Sequence, residues 1–126
     1  MTRPNHVHAG ILFAAILALT NLRPACAQDA PTANPTTVHV TFENERVRIL
    51  ESALPPGAKE KIHSHPACVV HFVEGGRVRN HAADGTSTDA DIQPGVTVYR
   101  EPVTHWAENI GKTTIRAVIV ELKNPR

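Results

Sequence analysis

Apolar and polar residues alternate with a period of two along most of the chain after Thr37. Val38, Val40 and Phe42 alternate with His39, Thr41 and Glu43, and Val47 and Ile49 carry the pattern into a second strand that reaches Ser52-Ala53. Successive strand side chains point to opposite faces, so each such run offers one face to a core. A Pro55-Pro56-Gly57 turn follows, then a polar strand from Lys59 to His65 that Pro66 ends. Val69 to Val73 reads as a near-continuous apolar strand, and Gly75-Gly76 turns it into Arg77-Val78-Arg79-Asn80. Asp84-Gly85 is a hairpin signal. Pro94-Gly95 precedes a strand over Val96–Tyr99, and His105 to Asn109 predicts a short strand ended by Asn109-Ile110-Gly111. The last strand, Thr114 to Leu122, is apolar on both faces near its middle, which predicts a central or interface position. No segment here has sustained helical periodicity. Short strands separated by Gly/Pro turns predict an all-β fold, a sandwich or a barrel.

The beginning of the chain follows another pattern. Arg3, His6 and His8 precede a nine-residue apolar run, Ile11 to Leu19, and Ala25-Cys26-Ala27 offers a small-x-small cleavage site. This predicts a signal peptide over residues 1–27, hence a secreted or periplasmic protein. The run is shorter than the roughly 20 apolar residues that span a bilayer, so no stable membrane anchor is expected. Arg23 and Pro24 disfavour a lipoprotein built on Cys26. Cleavage after Ala27 would remove 27 of the 126 residues and leave 99, enough for one domain with a modest core. Residues 28–36, with Pro31 and Pro35, read as a flexible leader, and residues 37–126 as the folded domain.

Residues 28–126 carry 11 Lys/Arg against 12 Asp/Glu. No basic field for nucleic acid and no cationic cluster for a membrane surface emerges. The expected partners are a small molecule, an ion or another protein. Cys68 is the single cysteine after the cleavage site, so no intrachain disulfide can form. A small buried residue, a reactive or metal-facing thiol and an intermolecular disulfide remain open for it.

The chemistry concentrates in the histidines. His63 and His65 are two apart on a predicted strand and therefore share a face. A third imidazole from a distant strand, His105, would complete a metal site. His71 shares strand parity with Val69 and Val73 and is either an added ligand, a neighbouring base or an outward residue. His39 and His81 sit near strand and turn ends, where surface positions are expected, and Trp106 should take the face opposite His105. Arg100 and Arg79 are candidates for orienting an anion.

These residues resemble a cupin. Gly57, five residues, then His63-Ser64-His65 matches the superfamily's first motif, and Pro94-Gly95 with His105 and Asn109 resembles the second. The resemblance spans about residues 47–122 and implies a cupin-type double-stranded β-helix, or jelly-roll barrel. It also implies a homodimer. The motif's carboxylate ligand is missing: its slot falls on Cys68, Val69 or Val70, and the usual Pro-x-Gly is replaced by Glu101-Pro102-Val103-Thr104. The expected site is therefore of the three-histidine type. Three neutral imidazoles leave a divalent ion at +2 and favour anionic co-ligands. Nitrogen ligands suit Fe, Zn, Ni, Mn or Cu. The function this implies is a non-haem metal-dependent enzyme, dioxygenase- or isomerase-like, acting on a small anionic or oxygenated molecule. The alternative is a cupin that holds a metal or small ligand without catalysis. Glu101, Glu108 and His71 are the candidate bases, and no spacing favours one.

Overall fold

The structure, a computed structural model, describes residues 27–123. The elements in chain order are β1 (Gln28–Asp29), α1 (Ala30–Ala33), β2 (Val38–Glu43), β3 (Val47–Leu54), β4 (His63–His65), β5 (Cys68–Glu74), β6 (Gly76–Ala82), β7 (Ser87–Ile92), β8 (Thr97–Arg100), β9 (Val103–Asn109) and β10 (Ile115–Leu122). They form two five-stranded sheets, ordered β1-β4-β9-β6-β7 and β2-β3-β10-β5-β8. Every pairing is antiparallel except the short parallel one between β1 and β4. This is the expected all-β jelly-roll architecture, with its inner faces turned toward one core.

β10 is the middle strand of its sheet, as its two-sided apolar pattern predicts. It pairs with β3 on one side and β5 on the other. Ile115, Ala117 and Ile119 point inward and join Val38, Leu50, Val70 and Phe72 in the core. Val78 and Ile92 close it from the opposite sheet. A fully buried aliphatic such as Leu50 contributes about 1.5–3 kcal/mol by leaving water.

One turn brings the two histidine-bearing strands into register. The Ala58 N–H donates to the Pro55 carbonyl at 3.0 Å, and Gly57 adopts φ +78°. A turn with positive φ at its third residue requires glycine there. The Gly57 N–H then donates to the Asn109 carbonyl at 2.9 Å, and the Asn109 N–H to the Ala58 carbonyl at 3.0 Å. Asn109 locks the same corner from its side chain, donating to the carbonyls of Leu54 at 2.7 Å and Thr113 at 2.8 Å. The motif asparagine is thus a structural clasp.

Three expectations need correction. Residues 28–36 are not a flexible leader. β1 pairs with β4 through Gln28↔His63 and Asp29↔Ser64, and Ala30 and Asn34 are buried. The polar strand expected over Lys59–His65 is regular only at His63–His65, with an isolated bridge between Lys59 and Glu108. Ser87–Ile92 forms an edge strand that its polar sequence did not announce, because no apolar alternation marks it. The predicted signal peptide lies outside the described residues, apart from Ala27.

Candidate metal centre

His63 and His65 come from β4 and His105 from β9, where His63 and His105 are direct cross-strand partners. His63 and His65 are 1% and 8% exposed. The ring centroids are 4.9 Å apart for His63 and His65, 4.7 Å for His63 and His105, and 5.6 Å for His65 and His105. One nitrogen from each ring lies within 4.8 Å of the other two. The three histidines expected to meet do so.

The tautomer of each ring follows from what holds its Nδ1. His63 Nδ1 lies 2.8 Å from the Lys61 carbonyl, which only accepts, and 3.0 Å from the Asn34 amide nitrogen, which only donates; the shorter contact places the proton on Nδ1 and leaves the Asn34 amide to the Lys61 carbonyl. His65 Nδ1–H donates to Glu121 Oε1 at 2.6 Å. His105 Nδ1–H donates to Asn80 Oδ1 at 2.6 Å. With every Nδ1 protonated and tethered, every Nε2 presents a lone pair. Those of His63 and His65 face each other at 3.1 Å. Two bare lone pairs repel at that separation, whereas two donors each about 2.0–2.1 Å from one ion sit about 3 Å apart. The donor set therefore fits a transition-metal ion.

The tethers extend outward. Glu121, the last inward residue of β10, accepts from His65 and also from Arg48 Nε at 2.6 Å, so it bridges the two sheets. Arg48 in turn pairs with Asp29. Asn34 accepts from the Lys61 N–H at 2.7 Å and donates to the Lys61 carbonyl at 3.2 Å, and so holds in place the carbonyl that receives the His63 Nδ1 proton. The segment expected to be a leader thus supports two of the three histidines. A hydrogen-bonded outer partner of this kind fixes ring orientation and raises ligand basicity.

Burial, joined by the neighbouring charges, lowers the basicity of His105 to a pKa of about 3, and burial lowers that of His63 as well. Both rings are therefore neutral and able to ligate at ordinary pH. Glu60 approaches the cluster from the Nε2 side: its Oε2 is 3.9 Å from His63 Nε2 and accepts the Ala107 N–H at 3.1 Å. Burial pushes its pKa up, opposed by the Ala107 hydrogen bond and the His65 charge. Glu60 precedes the His-x-His pair by three residues and carried no periodic signal of its direction.

The remaining candidates separate cleanly. His71 is exposed and bonds Thr97 on the outer face of β5, so it is no ligand. Glu108 faces outward and pairs with Lys59, and Glu101 is exposed, so neither is a base for this site. His81 is partly buried rather than superficial, stacked on outward-facing Trp106 at 3.5 Å. Arg79 pairs with Asp89 on the outside, whereas Arg100 faces the cavity. Cys68 lines the same cavity but stands outside the ligating group, and burial pushes its thiol pKa up. Of the residues in the motif's carboxylate slot, Cys68 and Val70 both line the cavity, and neither is an acid.

The architecture coincides with that of known structures. The chain is 30% identical to a cupin domain from Bordetella pertussis Tohama I, with a TM-score of 0.63 over 69% of this chain and 92% of that one. The chain belongs to the cupin superfamily. A protein with a double-stranded β-helix domain from Klebsiella pneumoniae matches in fold at 22% identity and TM-score 0.54, over 69% of this chain and 72% of that one. An RmlC-like cupin family protein from Methanocaldococcus jannaschii does so at 19% and 0.52, over 68% and 77%. No protein-family model matches the chain, and no curated protein does.

Proposed function

We propose that this cupin is an exported, metal-dependent enzyme, dioxygenase- or isomerase-like, acting on a small anionic or oxygenated molecule. The observation that carries the reading is the convergence of three Nε2 lone pairs whose Nδ1 protons are all anchored elsewhere. His63, His65 and His105 would hold the ion, one of Fe, Zn, Ni, Mn or Cu. Bound there, it would supply Lewis acidity and, if redox-active, electron transfer. The chain itself supplies a cavity of ≈ 100 Å³ with apolar walls from Val70, Phe72 and Ile92, which shields reacting groups from water. Glu60 gives that cavity a carboxylate close to the histidines, a feature that favours catalysis over simple retention of a ligand.

The test is oxygen uptake, and in parallel isomer formation, by metal-loaded protein over a panel of diketones, flavonoids, thiols and sugar acids. Turnover that disappears in His105→Ala supports an enzyme. Stoichiometric metal without turnover of any panel member would favour the binding module.

Export rests on the charged start, apolar run and cleavage pattern of residues 1–27, and N-terminal sequencing of secreted protein should begin at Gln28. A homodimer is supported by an outward row of register neighbours across all five strands of the second sheet: Phe42, Ile49, Val120, Val69 and Tyr99. Phe42 and Tyr99 are about half exposed. Light scattering should give twice the chain mass for wild type and the chain mass for Tyr99→Glu.

A further inference from the structure

The cavity contains a charged group that no described residue answers. Arg100 closes β8 on the same inward face as Val98, which packs on the core. It borders the cavity together with His63, His65, His105 and Glu60. Arg48, Arg77, Arg79 and Arg116 each meet a carboxylate. Among the described residues Arg100 has no ion pair and no side-chain hydrogen bond. Its cross-strand partner is Cys68, whose thiol is held protonated by burial and so offers no negative charge. A guanidinium carries five donors in a planar fork and no acceptor, and its matching ligand is a carboxylate.

The cavity brings these groups together. Arg100 supplies a positive charge that reaches His105. Glu60 places a carboxyl group beside His63. The apolar side chains of Val70, Phe72 and Ile119 line the same cavity. The cavity volume of ≈ 100 Å³ excludes large substrates.

We propose that Arg100 is the carboxylate-recognition residue of the site, and that its ligands are small carboxylic acids with a further oxygen that faces the three histidines. This rests on the metal-centre reading for the histidine end alone. The arginine end stands on its own placement.

The experiment compares lactate with lactamide, which differ in the charge of one end. Calorimetric titration is run on wild type, Arg100→Gln and Arg100→Lys, each metal-free and loaded with Co(II), and the cobalt visible spectrum is recorded in parallel. Lactate should bind wild type about tenfold or more tightly than lactamide, the scale of a charge-assisted pair. That preference should vanish in Arg100→Gln and partly return in Arg100→Lys. All three proteins should take up one equivalent of cobalt, which shows that the variants are folded. Normal cobalt uptake with an undiminished lactate preference in Arg100→Gln would overturn the assignment and leave the metal centre intact. Arg100-dependent lactate binding without cobalt uptake would overturn the metal centre and leave the arginine's role standing. No binding of lactate to wild type in either form, with acetate, propionate and pyruvate equally silent, would overturn the proposal.

Discussion

Replacing Glu121 by Gln should damage metal binding in a way that can be separated from damage to the fold. Glu121 accepts from His65 Nδ1 at 2.6 Å and from Arg48 at 2.6 Å and 2.5 Å, and it is 1% exposed. Glutamine keeps one acceptor oxygen but turns an NH₂ toward either the imidazole N–H or the guanidinium. One charge-assisted bond is lost and two donors are forced together. Breaking a buried pair costs about 3–5 kcal/mol, and Arg48 retains Asp29, so the lower end of that range is expected for the metal-free protein. His65 also loses the partner that orients it, which should weaken metal affinity about 10–100-fold, or about 1.4–2.8 kcal/mol. Urea unfolding of metal-free protein reads the first quantity, and competition against a chelator with a Co(II) or Zn(II) indicator reads the second. In a His65→Ala background, Glu121→Gln should no longer change metal affinity, since the two residues act through one contact. Unchanged affinity in the folded single variant, or an equal loss with and without His65, would refute the reasoning.

Asn34→Ala leaves the Lys61 N–H without its acceptor and should cost about 1–3 kcal/mol; it should also lower metal affinity, which the same competition assay measures. Stability of the metal-free protein should fall in acid. His105 has a folded pKa of about 3 against 6.5 unfolded, so its contribution is complete above pH 6.5 and is lost as pH drops toward 3, at up to about 1.4 kcal/mol per pH unit. His63 adds to this trend, while Glu60, shifted upward, opposes it at the acid end. Denaturant midpoints from pH 8 to pH 4 give the slope, and a flat profile would contradict the burial of neutral rings. Cys68 should react with a thiol reagent only upon unfolding, and Cys68→Ala should leave metal stoichiometry unchanged, because the thiol is buried and outside the ligating group.

Much of this was legible because strands have a period of two. That period alone puts His63 and His65 on one face, and the Gly/Pro turns separate the strands that carry them from the strand of His105. Faces are harder to assign where both sides of a strand are apolar. Val69–Val73 is such a strand, so the outward direction of His71 emerged only in the fold. Glu121 was readable in principle: it continues the inward row Ile115, Ala117 and Ile119, and a carboxylate at the end of such a row signals a buried partner. Asn80 lies likewise between inward Val78 and Ala82. Residues 28–36 resembled a linker by composition, yet Asn34 is held by Lys61, 27 positions away. A contact at that separation has no local signature. Glu60 sits in an irregular stretch where no periodicity applies.

The most direct measurement of the central claim is metal content, with anomalous diffraction, on protein purified without an affinity tag from medium supplied with Fe, Zn, Ni, Mn and Cu. About one equivalent per chain is expected, with the ion about 2.0–2.1 Å from Nε2 of His63, His65 and His105. Protein that takes up no metal under these conditions, or an ion bound away from those three nitrogens, would contradict it.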